Sequence, residues 1–186
     1  MKKIYVILCF STLLISCRKD VNEEFIEYIN SLDPITLPFN HTYSLDEMIE
    51  NDGFPNISTN FNNAYFKKFQ YHQDAIKPLG ILYKNENNIG IVELTEVSIG
   101  LFPVIMTYDM MGNKIDSLIP YENFGEDLGY SCKEHLVFEA NKITRFDTLR
   151  TWKLNKEETD IIEGTMTEKT NIKTFVINPK TGKISK

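Results

Sequence analysis

Few residues in this chain are of a type that could do chemistry, and their spacing decides how far each reading goes. Cys132 and His135 stand three positions apart and could be tested as a thiol and its base, with no second polar group obviously placed to orient the imidazole. His41 and His72 are the other histidines, and no two of the three have the i, i+4 spacing of a helical zinc pair. Glu134 and His135 are neighbours, so in a strand their side chains point apart. Ser98 lies in Glu96-Val97-Ser98-Ile99-Gly100, which lacks the glycine two residues before the serine that a nucleophile elbow needs. Glu122, Glu126 and Asp127 crowd a loop with Gly125 and Gly129, but a hard cation wants about six to eight oxygens and the segment has no EF-hand spacing. A solvated acidic loop is the plainer reading. With 26 acidic residues, some carboxylate pair will stand at a glycosidase separation by accident, so no dyad is nominated. The expectation is no catalytic residue, no metal and no cofactor.

One cysteine has a specific assignment. The chain opens with Met1, Lys2 and Lys3, and residues 4–15 are apolar apart from Ser11 and Thr12. That run is too short to span a bilayer, which takes about 20 helical residues, but it fits the core of a signal peptide. It ends in Leu14-Ile15-Ser16-Cys17, which resembles a bacterial lipobox, the small Ser16 preceding the cysteine that is diacylated. The expected organisation is a signal peptide over 1–16, a lipidated tether over 17–39 and a single β-rich domain over 40–186. Acyl chains at about 0.8 kcal/mol per buried CH₂ would hold Cys17 at a membrane. Arg18-Lys19-Asp20 is loosely similar to the Lys-then-acidic tether of lipoproteins displayed on the surface of Bacteroides-type bacteria. The expected address is the outer membrane, facing periplasm or surface.

Charge and cysteine count narrow the remainder. The 186 residues carry 20 basic and 26 acidic side chains. Loss of 1–16 removes Lys2 and Lys3 only, leaving 18 against 26, or −8 over 170 residues. An acidic chain without a basic cluster is a poor nucleic-acid partner, because phosphate contacts dominate that affinity. Cys9 leaves with the signal and Cys17 is blocked, so Cys132 has no partner for an internal disulfide.

The elements that would position these groups are mostly strands. Ser44 and Glu47 have capping-box spacing ahead of a short helix over 45–51. Phe61, Tyr65, Phe66 and Phe69 recur at helical spacing, predicting an amphipathic helix over 61–71. From residue 79 the period becomes two: 79–84, 89–96, 101–108 and 114–121 alternate, with Phe102, Val104, Met106 and Tyr108 on one face. Pro103, lacking an amide donor, pushes its strand toward an edge or a bulge at its start. Residues 109–113 form a hairpin turn, with Asp109 bonding its own backbone and Gly112 supplying the dihedral. Residues 121–132 read as a loop, 135–140 and 143–154 as strands, and 160–167 with 172–177 as a last hairpin turning at 168–171. The fold class is mainly β: an antiparallel meander sheet, sandwich or open barrel of about seven strands, with one or two short N-terminal helices.

The stretch Tyr108-Asp109-x-x-Gly112-Asn113-x-Ile115-Asp116-Ser117-Leu118, followed by Gly129-Tyr130 and Asp147-Thr148, resembles small uncharacterised β-rich lipoproteins of Bacteroides- and Flavobacterium-type bacteria. The resemblance implies a lipobox, a polar tether and a β-rich domain, and transfers no catalytic residue. Asp116-Ser117-Leu118 and Asp147-Thr148-Leu149 are also similar to the O-glycosylation signal of exported proteins in such bacteria, which makes Ser117 and Thr148 candidate modification sites. The expected role is a non-enzymatic module that binds an envelope or extracellular protein or glycan, held to membrane lipid through Cys17. Tyr65, Phe66, Tyr121, Tyr130 and Trp152 are the candidate contact residues, since aromatics are enriched in recognition sites. The alternatives are a structural accessory subunit of an outer-membrane complex and a small hydrolase with dispersed residues.

Overall fold

The fold is a computed structural model, describing residues 22–43, 65–70, 75–97, 100–122 and 125–186. Within these residues the chain runs α1 (Glu23–Asn30), β1 (Phe39–Tyr43), α2 (Phe66–Phe69), β2 (Ala75–Lys84), β3 (Asn88–Val97), β4 (Gly100–Asp109), β5 (Lys114–Leu118), β6 (Gly125–Asp127), β7 (Tyr130–Glu139), β8 (Lys142–Thr151), β9 (Thr167–Ile177) and β10 (Ile184–Ser185). All strand pairs are antiparallel and fall into two open sheets, not a closed barrel. The mainly β, antiparallel expectation holds. The first sheet is β2-β3-β4-β5, and the second is β1-β7-β8-β9-β10 with β6 also on β7.

Three layers result. On β3 and β4, Ile89, Ile91, Val104, Met106 and Tyr108 meet Phe25, Tyr28 and Ile29 of α1 and Phe66 and Phe69 of α2. The opposite face of the same sheet sends Leu82, Val92, Ile105 and Leu118 against Leu136, Phe138, Ile143, Phe175 and Ile177 of the second sheet. The first sheet is therefore covered on both faces, which explains why β3 is apolar at odd and even positions alike. The outer face of the second sheet is left wet: Ile172 of β9 is 65% exposed.

Local chemistry fixes the helix and the turn that meets it. Asn22 caps α1, its Oδ1 accepting the Phe25 amide at 3.2 Å, and Glu23 and Glu24 suit the positive end of the helix dipole. Asn22 Nδ2 also donates to the Met111 carbonyl at 3.0 Å, tying α1 to the β4–β5 turn. In that turn Asp109 Oδ1 accepts from the amides of Met111 (2.9 Å) and Asn113 (2.8 Å), as its position predicts. β4 is not an edge strand, since it lies between β3 and β5. Pro103 pairs with Leu94 on β3, and the β5 pairing begins only at Ile105, so the missing amide costs no ladder bond to β5.

Several element expectations need correcting. Ten strands stand among the described residues, against about seven, because the short β1, β6 and β10 carry too little alternation to be seen. Residues 121–132 are not all loop: Gly125 and Gly129, both at positive φ, allow β6 to fold back on β7. The last hairpin does not exist. β9 is one strand whose register with β8 runs unbroken from Thr151↔Thr167 to Lys142↔Val176. Cross-strand polar pairs keep 168–171 in the ladder, with Arg150 Nε donating to Glu168 Oε2 at 2.7 Å and Thr151 meeting Thr167 at 2.7 Å. Of the tether expected over 17–39, the part from residue 22 is packed, with Phe25, Tyr28 and Ile29 among the most buried side chains. Of the helix expected over 61–71, the described portion is helical at Phe66–Phe69. The 1–16 segment, Cys17, His72, Ser98 and the helix over 45–51 lie outside the described residues.

Candidate functional site

The two reactive candidates on β7 are separated by the strand itself. Cys132 is buried on the inner face, toward the first sheet, with Glu134, Leu136 and Phe138. His135 points to the outer face, where its Nδ1 lies 2.8 Å from Thr42 Oγ1 and its ring 6.0 Å from that of Phe146. Three residues apart in a helix would have brought them together, but in a strand an odd spacing puts them on opposite faces. Burial, then the Glu134 charge, push the Cys132 thiol up, away from thiolate. Cys132 and His135 therefore form no thiol–imidazole pair.

The inner face of the second sheet changes character along its length. At one end it is Phe138, Ile143 and Phe175; at the other, Glu134, Arg145 and Asp147, all buried. Arg145 gathers this end. Its Nη1 donates to the Pro120 carbonyl at 2.8 Å, and its Nη2 to Glu122 Oε2 at 2.9 Å and Asp147 Oδ2 at 3.0 Å. Glu134 accepts the Glu122 amide on Oε1 (3.1 Å) and Oε2 (3.2 Å), with Arg145 Nε 4.0 Å away. Lys173 of β9 donates to Glu122 Oε2 at 3.0 Å. Hydrogen bonds from Lys173 and Arg145 hold the Glu122 carboxyl down at about 2. Beside this cluster, His41 of β1 bonds through Nδ1 to the Tyr121 hydroxyl. Burial, then the charge of His135, depress His41 to about 4, so it is neutral at pH 7.

This arrangement anchors more than it reacts. Each buried carboxylate is already engaged by the guanidinium or by a backbone amide, and the guanidinium reaches residues 120–122, the start of the β5–β6 connection. The cluster thus ties that connection across the second sheet. Glu122 is a latch residue here and not part of an acidic loop site. Glu126 instead accepts from the Ser131 hydroxyl at 3.2 Å, and Asp127 Oδ1 takes the Leu128 amide at 2.7 Å. Among the described residues no group of three or more His, Cys, Asp or Glu is placed to hold a metal. A third buried carboxylate, Glu93, lies under the helices, hydrogen-bonded to Tyr108.

The aromatics divide. Phe66 and Tyr121 are buried core and do not serve as surface contacts. Tyr65 is half-buried against the helix layer and hydrogen-bonded to Glu27. Tyr130 and Trp152, by contrast, are half-buried at one end of the second sheet, where Tyr130 pairs with Thr151, the neighbour of Trp152. There the β8–β9 connection and the start of β9 form an arm at the sheet end: residues 167–172 of β9 are exposed on both faces, while β8 stays paired with β7 up to Thr151. At its end Leu154 bridges Ile161, and the Ile162 amide bonds the Lys153 carbonyl at 2.8 Å. The β6–β7 turn leans on this end, the Trp152 amide donating to the Gly129 carbonyl at 2.9 Å. A Cβ on Gly129 would stand 2.9 Å from Leu154 Cδ2. The tip leaves large apolar side chains in water: Leu128 (45%), Ile161 (40%), Ile162 (43%) and Met166 (50%).

Sequence reasoning pointed to Tyr130 and Trp152 but missed the aliphatic residues beside them, whose signal was a run of Ile161-Ile162 amid charges. It also missed Glu134, Arg145 and Asp147, which the two-residue period places on the face shared with Leu136 and Ile143. Ser117 and Thr148 are both half-buried on strands, Thr148 Oγ1 lying 3.5 Å from that of Thr170. No protein-family model matches the chain, and neither does any curated protein or any solved structure.

Proposed function

We propose that this chain is a lipoprotein anchored through Cys17 at the outer membrane, whose domain is a non-enzymatic module for binding another envelope or extracellular component. The observation that carries the binding reading is the arm tip, where four large apolar side chains stand in solvent beside a hydrogen-bonded loop. Exposed apolar residues grouped in one place are a common mark of an interaction site, whereas scattered ones are ordinary. Cys132 and His135, on opposite faces of β7, lend the hydrolase alternative no thiol–base pair. Among the described residues no helix is long and apolar enough to cross a membrane, so attachment on this reading rests on the lipid.

The test has two arms. A clickable fatty acid fed to expressing cells should label the wild type and not Cys17→Ala; equal labelling overturns the anchor. The lipidated full chain, crosslinked mildly in its own envelope, should enrich a specific component over residues 1–21 fused to an unrelated domain. Equal recovery from both overturns the binding module.

A further inference from the structure

We infer that the arm tip is a docking surface for a basic segment of another protein, one that presents lysine or arginine next to aliphatic side chains. The inference deepens the binding reading above and rests on it.

The first ground is the charge around the apolar side chains. Residues 152–166 carry Glu157, Glu158, Asp160 and Glu163 against Lys153 and Lys156, and the adjoining turn adds Glu126 and Asp127. Twenty residues, 125–129 and 152–166, therefore hold six acidic and two basic side chains, a net −4. On the lipoprotein reading, the other 150 residues of 17–186 hold 20 acidic and 16 basic side chains, a net −4 of the total −8, so half the charge sits on 20 residues. The density of negative charge is highest where Leu128, Ile161, Ile162 and Met166 are exposed. Among the described residues none of the four loop carboxylates is ion-paired, so they remain available to a cation from outside.

The second ground is that the surface is built in advance. Asn155 organises the loop: its Oδ1 accepts the Thr159 amide at 2.9 Å, its Nδ2 donates to Thr159 Oγ1 at 3.1 Å, and its own amide bonds the Asp160 carbonyl at 3.0 Å. Glu158 takes a left-handed conformation, φ 54°, to close the turn. Thr165 fixes the other side, its Oγ1 donating to the Ile162 carbonyl at 2.6 Å and accepting the Lys153 amide at 3.0 Å. A loop already held in shape loses little freedom on binding.

Charge also selects among occupants. A second copy would bring −4 against −4. An anionic lipid surface would be repelled, and a neutral glycan would make no use of the carboxylates. A cationic, partly aliphatic protein segment uses both parts of the surface, and its encounter would be steered by the field.

The experiment places a photocrosslinking phenylalanine derivative at Ile162 in the full, lipidated chain in the cells that make it. The same group goes at Ile119 and at Ile172, both exposed elsewhere. The expected result is an adduct from Ile162, at least tenfold above that from Ile119, mapping to a lysine- or arginine-rich segment of another protein. Glu157→Lys with Glu163→Lys should abolish it. The inference is overturned by an adduct to lipid, glycan or a second copy, by one mapping to a segment without basic residues, by insensitivity to charge reversal, or by no excess over Ile119. A specific adduct from Ile172 alone discards the tip and keeps the binding module; none from either position discards both.

Discussion

Arg145 Nε stands 2.7 Å from Asp147 Oδ1, two residues along the same face of β8, with both side chains buried. These two atoms are close but off line for a hydrogen bond, the directional one running from Nη2 to Oδ2. With Glu134 opposite Asp147 on β7, the layer holds two buried carboxylates and one buried cation. Arg145→Met removes that cation and leaves both carboxylates uncompensated. The expected loss is about 3–5 kcal/mol, the range for breaking a buried ion pair from one side. Lys173→Met, which removes a partly exposed partner of Glu122, should cost under about 1 kcal/mol. Urea unfolding of both variants measures the difference; comparable losses would show that the layer is not held by Arg145.

Acid should weaken the fold in two windows. His41 is depressed from its ordinary 6.5 to about 4 by burial first and His135 second. Between these values the unfolded chain binds the proton and the folded one does not, so stability is full above 6.5 and falls as pH drops toward 4. Protonation would also end the capacity of Nδ1 to accept from Tyr121. Glu122 is depressed from 4.5 to about 2 by Lys173 and Arg145, so its contribution is present above 4.5 and is lost as pH falls toward 2. Unfolding midpoints followed from pH 7.5 to 2 should lose the upper slope in His41→Gln and the lower in Glu122→Gln. An unchanged profile in His41→Gln would refute the upper assignment.

Gly112 and Gly164 both have left-handed backbone, φ 83° and 72°, but only one is crowded. A Cβ at Gly112 would meet the Phe25 ring at 2.8 Å, whereas at Gly164 nothing lies within 4 Å. Alanine at either position pays the left-handed penalty of about 1 kcal/mol. Gly112→Ala should lower Tm clearly more than Gly164→Ala, the excess reporting the docking of α1 on the β4–β5 turn. Equal shifts would mean that the Phe25 contact gives way without cost.

What the chain disclosed before folding was period, and what it withheld was cover. The alternation of Phe102, Val104, Met106 and Tyr108 identified β4 and its buried face, and Asp109 with Gly112 located the turn after it. The same period sorts 143–150 into Ile143, Arg145, Asp147 and Leu149 against Thr144, Phe146, Thr148 and Arg150. The first set has two apolar residues to the second's one but also carries two of the three charges, so the pattern cannot say which faces inward. That choice is made by residues 120–122, which bring a carbonyl, an amide and a carboxylate to Arg145 and Glu134 from a distant part of the chain. The arm was misread for a related reason: Glu168 and Thr170 read as a turn until Arg150 and Thr148 stand opposite them.

Trp152, the single tryptophan, reports on the arm alone. The strands flanking it lose their inner cover beyond Leu149, so the arm has hydrogen bonds and cross-strand pairs but little buried apolar surface. Segments of that kind open at lower free energy than the core that carries them. Tryptophan emission should therefore shift at lower urea than the far-ultraviolet dichroism of the sheets. Gly129→Ala, which forces a Cβ toward Leu154 and strains a φ of 76°, should move the first transition down and leave the second nearly in place. Coincident transitions in the wild type would show instead that the arm unfolds only with the sandwich, and its exposed tip would then be held by the whole domain.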